Sequence, residues 1–195
     1  MKHCALVLVL FFSIGNLYSQ STVSGYYITK TNDTITVDVV IKKGVFGQIK
    51  NDLTKEVKVI DDKNESVQFT PSDIKSYGFT FDGISYEFYS KPTKKGENKF
   101  LTPVIIGPKT SLYQYSFYTS GSGSNLPSNQ VFYTFEKADG SYLLLGIVGQ
   151  KKLKTELKEF YKESQEAQKL IDERLKDWLN QKQDLIDILS VVNKS

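Results

Sequence analysis

The chain has almost no histidine or cysteine, two side chains on which many enzymes depend for chemistry. Its 195 residues contain one methionine, one histidine and one cysteine, at Met1, His3 and Cys4. Residues 20–195 therefore lack all three, which excludes disulfides, His-containing triads, histidine general bases and His/Cys zinc sites. A metal site there would need oxygen ligands only, as calcium and magnesium accept. We expect no metal and no cofactor.

Arginine and long apolar runs are also scarce. Arg174 is the only arginine, and the lysines are interspersed with acidic residues. Nucleic-acid readers depend on clustered arginine, so we expect no nucleic-acid partner. Beyond the first residues no apolar run approaches the length of a membrane span, so we expect no membrane-spanning segment in the rest of the chain.

The first residues have the layout of a secretory signal peptide. Lys2 provides a basic start, an apolar run extends from Cys4 to Ile14, and a polar stretch with small residues ends near Ser19. The run is too short to cross a bilayer. We therefore expect a signal peptide over residues 1–19 and an exported protein in the periplasm or at the cell surface. A buried N-terminal helix is the alternative.

The composition changes at about residue 150. Before it, β-branched and aromatic residues are broken by turn residues; after it, Gly and Pro are absent and Lys, Glu, Gln and Leu dominate. This pattern predicts the α+β class. An antiparallel β domain over residues 20–149, as a curled sheet, a sandwich or a partial barrel, precedes a C-terminal helical module of two or three helices over residues 150–195 that packs on it.

Short runs of alternating apolar residues predict the individual strands. A hairpin joins residues 26–29 to 35–41, where Ile35, Val37, Val39 and Ile41 share one face. The other predicted strands are Phe46–Lys50, Val57–Asp61, Ser66–Thr70, Tyr77–Phe81, Ser85–Tyr89, Phe100–Ile106, Leu112–Thr119, Gln130–Glu136 and Ser141–Val148.

Apolar stripes and capping residues predict three helices after residue 150. Leu153, Leu157 and Phe160 form the first stripe. Ser164 caps a second helix that reaches Trp178, and Asn180 caps a third. Each helix is short, so its stripe must be buried against the β domain or another helix. A free coiled coil is the alternative, although its heptad breaks near Asn180.

The stretch TPSDIKSYGF contains Ser72 and Lys75 at the Ser-x-x-Lys spacing of penicillin-binding enzymes. With 19 Ser and 24 Lys in the chain, roughly two such matches are expected by chance. A turn accounts for the same residues, because Thr70 and Asp73 can form a capping box around Pro71. We interpret the stretch as a connector in which Gly78 lets the chain enter the next strand.

Aromatic strands are the best candidates for a binding surface. Tyr113, Tyr115 and Phe117 share one strand face, and Tyr133 lies on the following strand. Tyrosine combines apolar area with a polar tip, which suits carbohydrate or peptide ligands. The alternative is that one face is core and the other a cross-strand ladder.

Carboxylates supply the remaining enzymatic hypothesis. A hydrolase that uses two carboxylates would need them to face each other across a cleft, as in glycosidases. Asp82, Glu87 and Glu136 are the candidates, but nothing in their spacing pairs them. We therefore expect a non-enzymatic protein and predict no catalytic residue.

Several stretches together resemble a family of uncharacterised exported proteins of Bacteroidetes bacteria. They are GYYITKTNDTI, FTPSDIKSYGF, FLTPVIIGPKTSLYQY, VFYTFEKADGSYLLL and the helical LKEFYKESQEAQKLIDERLKDW. The chain departs from that family at Ser164, where a Pro-containing cap is expected. The resemblance implies a cell-envelope location and no known activity. An envelope protein or a glycan is the expected partner.

Overall fold

The computed structural model describes residues 20–44, 47–49, 52–93, 96–119, 128–146, 150–176 and 181–194. The strands in these ranges are β1 (Gln20–Thr29), β2 (Thr34–Lys42), β3 (Val57–Ile60), β4 (Ser66–Phe69), β5 (Ile74–Phe81), β6 (Ile84–Pro92), β7 (Asn98–Ile105), β8 (Thr110–Thr119), β9 (Ser128–Lys137) and β10 (Tyr142–Leu145). The helices are α1 (Gln150–Phe160), α2 (Gln165–Arg174) and α3 (Gln181–Lys194). The predicted signal peptide lies outside the described residues.

All ten strands belong to one antiparallel sheet with the order β10-β9-β8-β7-β6-β5-β1-β2-β3-β4. Consecutive strands are neighbours, except that β5 pairs with β1 rather than with β4. The two ends of the sheet do not meet, so the sheet is open. The α+β prediction of an antiparallel β region followed by helices is therefore confirmed.

One face of the sheet carries two hydrophobic cores, and we call it the core face. Alternation along β2 turns Val37, Val39 and Ile41 to this face, where all three are buried as their spacing predicts. Ile35 begins the same stripe but stays exposed at the start of the strand. The other face, which carries the alternate residues, we call the aromatic face.

The first core combines aliphatic side chains of β2 and β3 with aromatic side chains of β5, β6 and β7. The ring of Tyr77 stacks on Phe88 with centroids 4.8 Å apart, and it meets Phe100 edge-on at the same distance. All three side chains are buried, and full burial of such a side chain contributes roughly 2 kcal/mol. Leu53, from the segment between β2 and β3, packs against the same core.

The second core lies between β8–β10 and the three helices. Its buried residues include Leu112, Phe135 and Leu145 of the sheet and Leu153, Leu157, Ile171, Ile188 and Leu189 of the helices. The helical stripes are thus buried on the sheet, and the free coiled coil is wrong. None of the helices in the described ranges has the length and hydropathy needed to cross a bilayer.

The described residues include one of the two predicted helix caps. Ser164 begins α2 as expected, because its Oγ accepts a hydrogen bond from the N–H of Ala167 at 3.2 Å. This bond satisfies one of the free donors at the helix start. Asn180 and Trp178 lie outside the described residues.

The C-terminal end of α3 is fixed to the turn before β8. The side chain of Asn193 accepts hydrogen bonds from the N–H groups of Lys109 and Thr110, at 3.0 and 2.9 Å, and donates one to the Thr110 carbonyl at 2.9 Å. Gly107 leaves room for it, since a Cβ there would lie 2.0 Å from Asn193 Nδ2.

β7 changes its pairing partner along its length. Residues 98–101 of this strand pair with β6, whereas residues 102–105 pair with β8. Pro103 lies at the change, where the register also slips before Ile105. Proline has no N–H to give to a strand ladder, so it favours such an interruption.

Two local predictions were wrong. Phe46–Lys50 is not a strand in its described residues, 47–49, where Ile49 forms only an isolated bridge with Lys43. Gly78 does not release the chain from a turn but lies in the middle of β5. Its missing side chain makes room for the ring of Tyr26, whose Cζ would lie 2.9 Å from a Cβ.

Candidate ligand-binding surfaces

The aromatic face over β6–β10 carries tyrosines and charged side chains. Cross-strand pairing and alternation turn Tyr113, Phe132 and Tyr142 to this face, while the helices pack on the core face. We define the aromatic surface as Tyr89, Lys91, Tyr113, Tyr115, Phe132, Glu136 and Tyr142. It joins the two halves of the sheet that lie on either side of β7, because Tyr89 of β6 meets Tyr113 of β8 with ring centroids 5.5 Å apart.

Glu136 is the centre of the polar contacts in the aromatic surface. One carboxylate oxygen accepts a hydrogen bond from Lys91 Nζ at 2.5 Å, and the other accepts one from the Tyr142 hydroxyl at 2.6 Å. The side chains of Lys91 and Glu136 are only 16% and 21% exposed. They are therefore screened less than an ion pair fully open to solvent.

The electrostatics follow from this geometry. Burial opposes ionisation of Glu136, but the hydrogen bonds from Lys91 and Tyr142 outweigh it and hold the pKa of the carboxyl below its usual value. Burial, together with the hydrogen bond to Glu136, raises the pKa of Tyr142 to about 12. At neutral pH Glu136 is therefore a carboxylate and Tyr142 a neutral phenol.

Aromatic rings flank this polar centre. Tyr115 stacks on Phe132 with centroids 5.0 Å apart and planes 16° from parallel. Lys99 Nζ lies 5.2 Å from the Tyr115 ring centre, and Lys91 Nζ lies 4.7 Å from that of Tyr113. Each is within the range of a cation–π contact. Tyr142 is 41% exposed, so its ring reaches solvent.

The four predicted binding residues do not form one surface. Tyr113 and Tyr115 lie on the aromatic face, although Tyr113 is only 4% exposed. Tyr133 pairs with Gln114, which puts it on the core face, where it is buried in the second core. Phe117 pairs with Gln130 through its backbone, and its side chain lies outside the described residues.

An open groove of about 690 Å³ lies on the core face, and we call it the strand groove. Its lining residues are Gly47, Gln48, Ile49, Asp52, Leu53, Thr54, Phe81, Asp82, Ile84, Tyr86, Phe88, Thr102 and Ser116. The volume and the mixture of apolar side chains with a few polar groups are typical of ligand sites.

The wall of the strand groove is anchored to the sheet. The hydroxyl of Tyr77 donates a hydrogen bond to the Leu53 carbonyl at 2.6 Å, and the N–H of Phe100 donates one to the Thr54 carbonyl at 2.8 Å. Both donors belong to buried residues of the first core. The segment over residues 52–54 is therefore held in place by groups that are costly to leave unpaired.

Ser72 and Lys75 do not form a nucleophilic pair. Lys75 Nζ donates to Asn32 Oδ1 at 2.5 Å, and Ser72 is exposed. The N–H of Asp73 donates to the Thr70 carbonyl, and Asp73 Oδ2 accepts hydrogen bonds from the Thr70 N–H and hydroxyl at 2.7 Å each. Half of the predicted capping box is therefore present, in a turn between β4 and β5: the Asp73 carboxylate accepts from the Thr70 N–H, but the Asp73 N–H donates to the Thr70 carbonyl and not to its hydroxyl.

The three candidate catalytic carboxylates do not lie on one face of the sheet. Asp82 lies in the β5–β6 turn and lines the strand groove on the core face. Glu136 and Glu87 lie on the aromatic face, where Glu87 accepts a hydrogen bond from the Tyr89 hydroxyl at 3.3 Å. A lowered pKa does not suit Glu136 to the role of general acid. The described residues contain no group of three or more His, Cys, Asp or Glu side chains placed to hold a metal ion.

Sequence reasoning missed the strand groove. Its residues come from four separate parts of the chain and share no motif. The available signal was Pro103 within a predicted strand, because proline marks a place where a ladder is interrupted.

Comparison with known proteins adds no relative. No protein-family profile matches the chain, and no curated protein or solved structure is significantly similar to it.

Proposed function

We propose that the chain is an exported, non-enzymatic binding protein of the bacterial cell envelope, and that its aromatic surface binds a glycan. One observation supports the glycan proposal above all. Glu136 accepts hydrogen bonds from Lys91 and Tyr142, and this polar centre lies beside the stacked rings of Tyr115 and Phe132. Export is supported by the layout of the first residues and by the resemblance to exported Bacteroidetes proteins.

The chemistry of this surface fits a sugar. An exposed tyrosine ring offers apolar area to the C–H face of a pyranose, while a carboxylate accepts and an ammonium donates hydrogen bonds to hydroxyl groups. Glu136 is fixed by two partners, so its orientation does not have to be established when the ligand arrives.

The test uses the full chain expressed with its leader and purified from the exported fraction, where its first residue should be Gln20. A glycan array identifies a retained sugar, and titration calorimetry then compares variants. Tyr142→Ala should weaken binding by roughly tenfold, which corresponds to about 1.4 kcal/mol. Glu136→Gln should also weaken it.

The matched control is Val131→Ala. Val131 lies on the same strand as Glu136, is 38% exposed, and points to the core face. The Val131→Ala variant should bind the sugar as tightly as the wild type does. Equal binding by Tyr142→Ala, or an array on which no glycan is retained, would overturn the glycan proposal.

A further inference from the structure

The change of partner at β7 leaves part of β6 without a neighbour on one side. Residues 89–92 of β6 pair with β7, but Ile84–Phe88 pair only with β5. In the described part of the chain no strand pairs with the outer edge of this segment. At 3.3–3.4 Å per residue the edge is about 17 Å long, enough for a short extended peptide.

The pairing pattern identifies which backbone groups point outward. Phe81 and Ile84 flank the two-residue Asp82-Gly83 turn, and residues along an antiparallel strand alternate in the side to which they hydrogen-bond. Ser85 and Glu87 are therefore in phase with Tyr89, which pairs with Leu101 of β7. Their N–H and C=O groups face the place where a further strand would lie.

The strand groove runs beside this edge. Ile84, Tyr86 and Phe88 alternate along β6 and all line it, while Thr102 and Ser116 line its far side. Ile84 is 57% exposed, the largest value among the exposed apolar side chains of the described residues. An extended peptide on the β6 edge would place every second side chain against this wall.

The charge of the strand groove indicates which side chains a bound peptide would carry. Among the described residues that line the groove are the carboxylates of Asp52 and Asp82, and none of these described residues is a Lys or Arg. Lys55 pairs with Asp52 at 3.0 Å, but both side chains are at least half exposed, so this pair is easily exchanged for another. A basic side chain suits such a lining better than an acidic one.

We propose that the strand groove binds an extended segment of a partner protein, which adds to the outer edge of β6 as a further strand. The segment carries apolar residues at alternate positions and a Lys or Arg that reaches Asp52 and Asp82. Main-chain hydrogen bonds provide affinity and the groove provides sequence preference, as in other cases of strand addition. This site lies on the opposite face from the aromatic surface and does not depend on the glycan proposal.

The experiment screens the full chain, after removal of its leader, against a positional-scanning library of acetylated and amidated peptides of about seven residues. Selected peptides should alternate apolar residues and include Lys or Arg. Replacing that basic residue by Glu should weaken binding by at least tenfold. Methylation of alternate backbone nitrogens on the edge that faces β6 should abolish binding, because it removes the donors needed for strand pairing.

Protein variants locate the binding site. Ile84→Ala should weaken peptide binding about tenfold, whereas Ile106→Ala, at a side chain that is 55% exposed and outside the groove, should not. Asp82→Asn removes a charge at a left-handed position that Asn tolerates, so it should reduce the preference for Lys without a loss of folding. Asp62→Asn, in an exposed turn, is its control.

Three outcomes would overturn the proposal. They are the absence of any retained peptide, equal binding of the backbone-methylated peptides, and equal losses in Ile84→Ala and Ile106→Ala. Circular dichroism of each variant separates a loss of binding from a loss of fold.

Discussion

At the scale of single residues, partners rather than spacing decide what a side chain does. Ser72 and Lys75 have the spacing of a nucleophile and its activating lysine, yet Lys75 bonds Asn32. Asp73, which lies between them and belongs to the predicted capping box, makes the contacts that close the turn. The hydrogen bonds from Thr70 lower the pKa of Asp73, as they should if the carboxylate is the form that the turn stabilises.

A pair of substitutions tests this assignment. Asp73→Ala should lower the urea midpoint of unfolding, because the N–H and hydroxyl of Thr70 lose their acceptor. Ser72→Ala should leave the midpoint unchanged and any binding activity intact. A loss of activity in Ser72→Ala at unchanged stability would restore the nucleophile hypothesis.

Single residues also explain why the four predicted aromatic residues do not lie on one face of the sheet. Alternation within β8 correctly groups Tyr113 with Tyr115, because the period of two is a local property of the strand. Whether Tyr133 joins them depends on the register between β8 and β9, in which it pairs with Gln114. A long connection between two strands leaves that register open, so the sequence could not resolve it.

At the scale of elements, α3 is held by a side-chain contact at its last turn. Asn193 makes three hydrogen bonds to the backbone of Lys109 and Thr110, and Thr110 is buried. Apolar spacing predicts that α3 packs on the sheet, but it does not predict where along the sheet the helix ends. Asn193 and Gly107 fix that position together.

Asn193→Ala should therefore loosen the end of α3 from the sheet. The substitution leaves backbone groups of Lys109 and Thr110 without a partner, and we expect a loss of about 2 kcal/mol in the free energy of unfolding. Urea denaturation measures it, and hydrogen exchange should show faster exchange in the last turn of α3. Ser190→Ala, which removes only a bond to the Ile186 carbonyl, is the control. Equal losses in both variants would contradict this role for Asn193.

The strand groove is a feature of element pairing that no local pattern reveals. The strands on both sides of it are predictable to within a few residues, since each has its own alternation and turn signals. The groove exists because β7 divides its pairing between β6 and β8, and this depends on distant parts of the chain.

At the scale of the whole molecule, the ion pair between Lys91 and Glu136 connects the two halves of the sheet. Lys91 extends from β6 and Glu136 belongs to β9, three strands away. The Thr134 hydroxyl also donates to the Pro92 carbonyl at 3.0 Å. The end of β6 therefore folds over the aromatic face of β9.

This arrangement predicts an acid-dependent stability. Because the pKa of Glu136 in the folded protein lies below its ordinary value of 4.5, its contribution is complete above pH 4.5 and is lost as the pH falls through the lower folded value. Between pH 7 and about pH 3, Glu136→Gln and Lys91→Met should each lose less unfolding free energy than the wild type. Urea denaturation at several pH values gives the comparison. An unchanged pH dependence in both variants would contradict the coupling.

The strand order also has a consequence for synthesis on the ribosome. Strands β1–β4 can pair as they emerge, but the free edge of β1 must wait for β5, more than forty residues later in the chain. From β6 onward each new strand is added at one advancing edge, and the helices that cover the second core come last. Until then Leu112, Phe135 and Leu145 lack their helical cover, and exposed apolar strands are prone to aggregate. We therefore expect the late stage of translation to be the time at which the nascent chain most needs a chaperone.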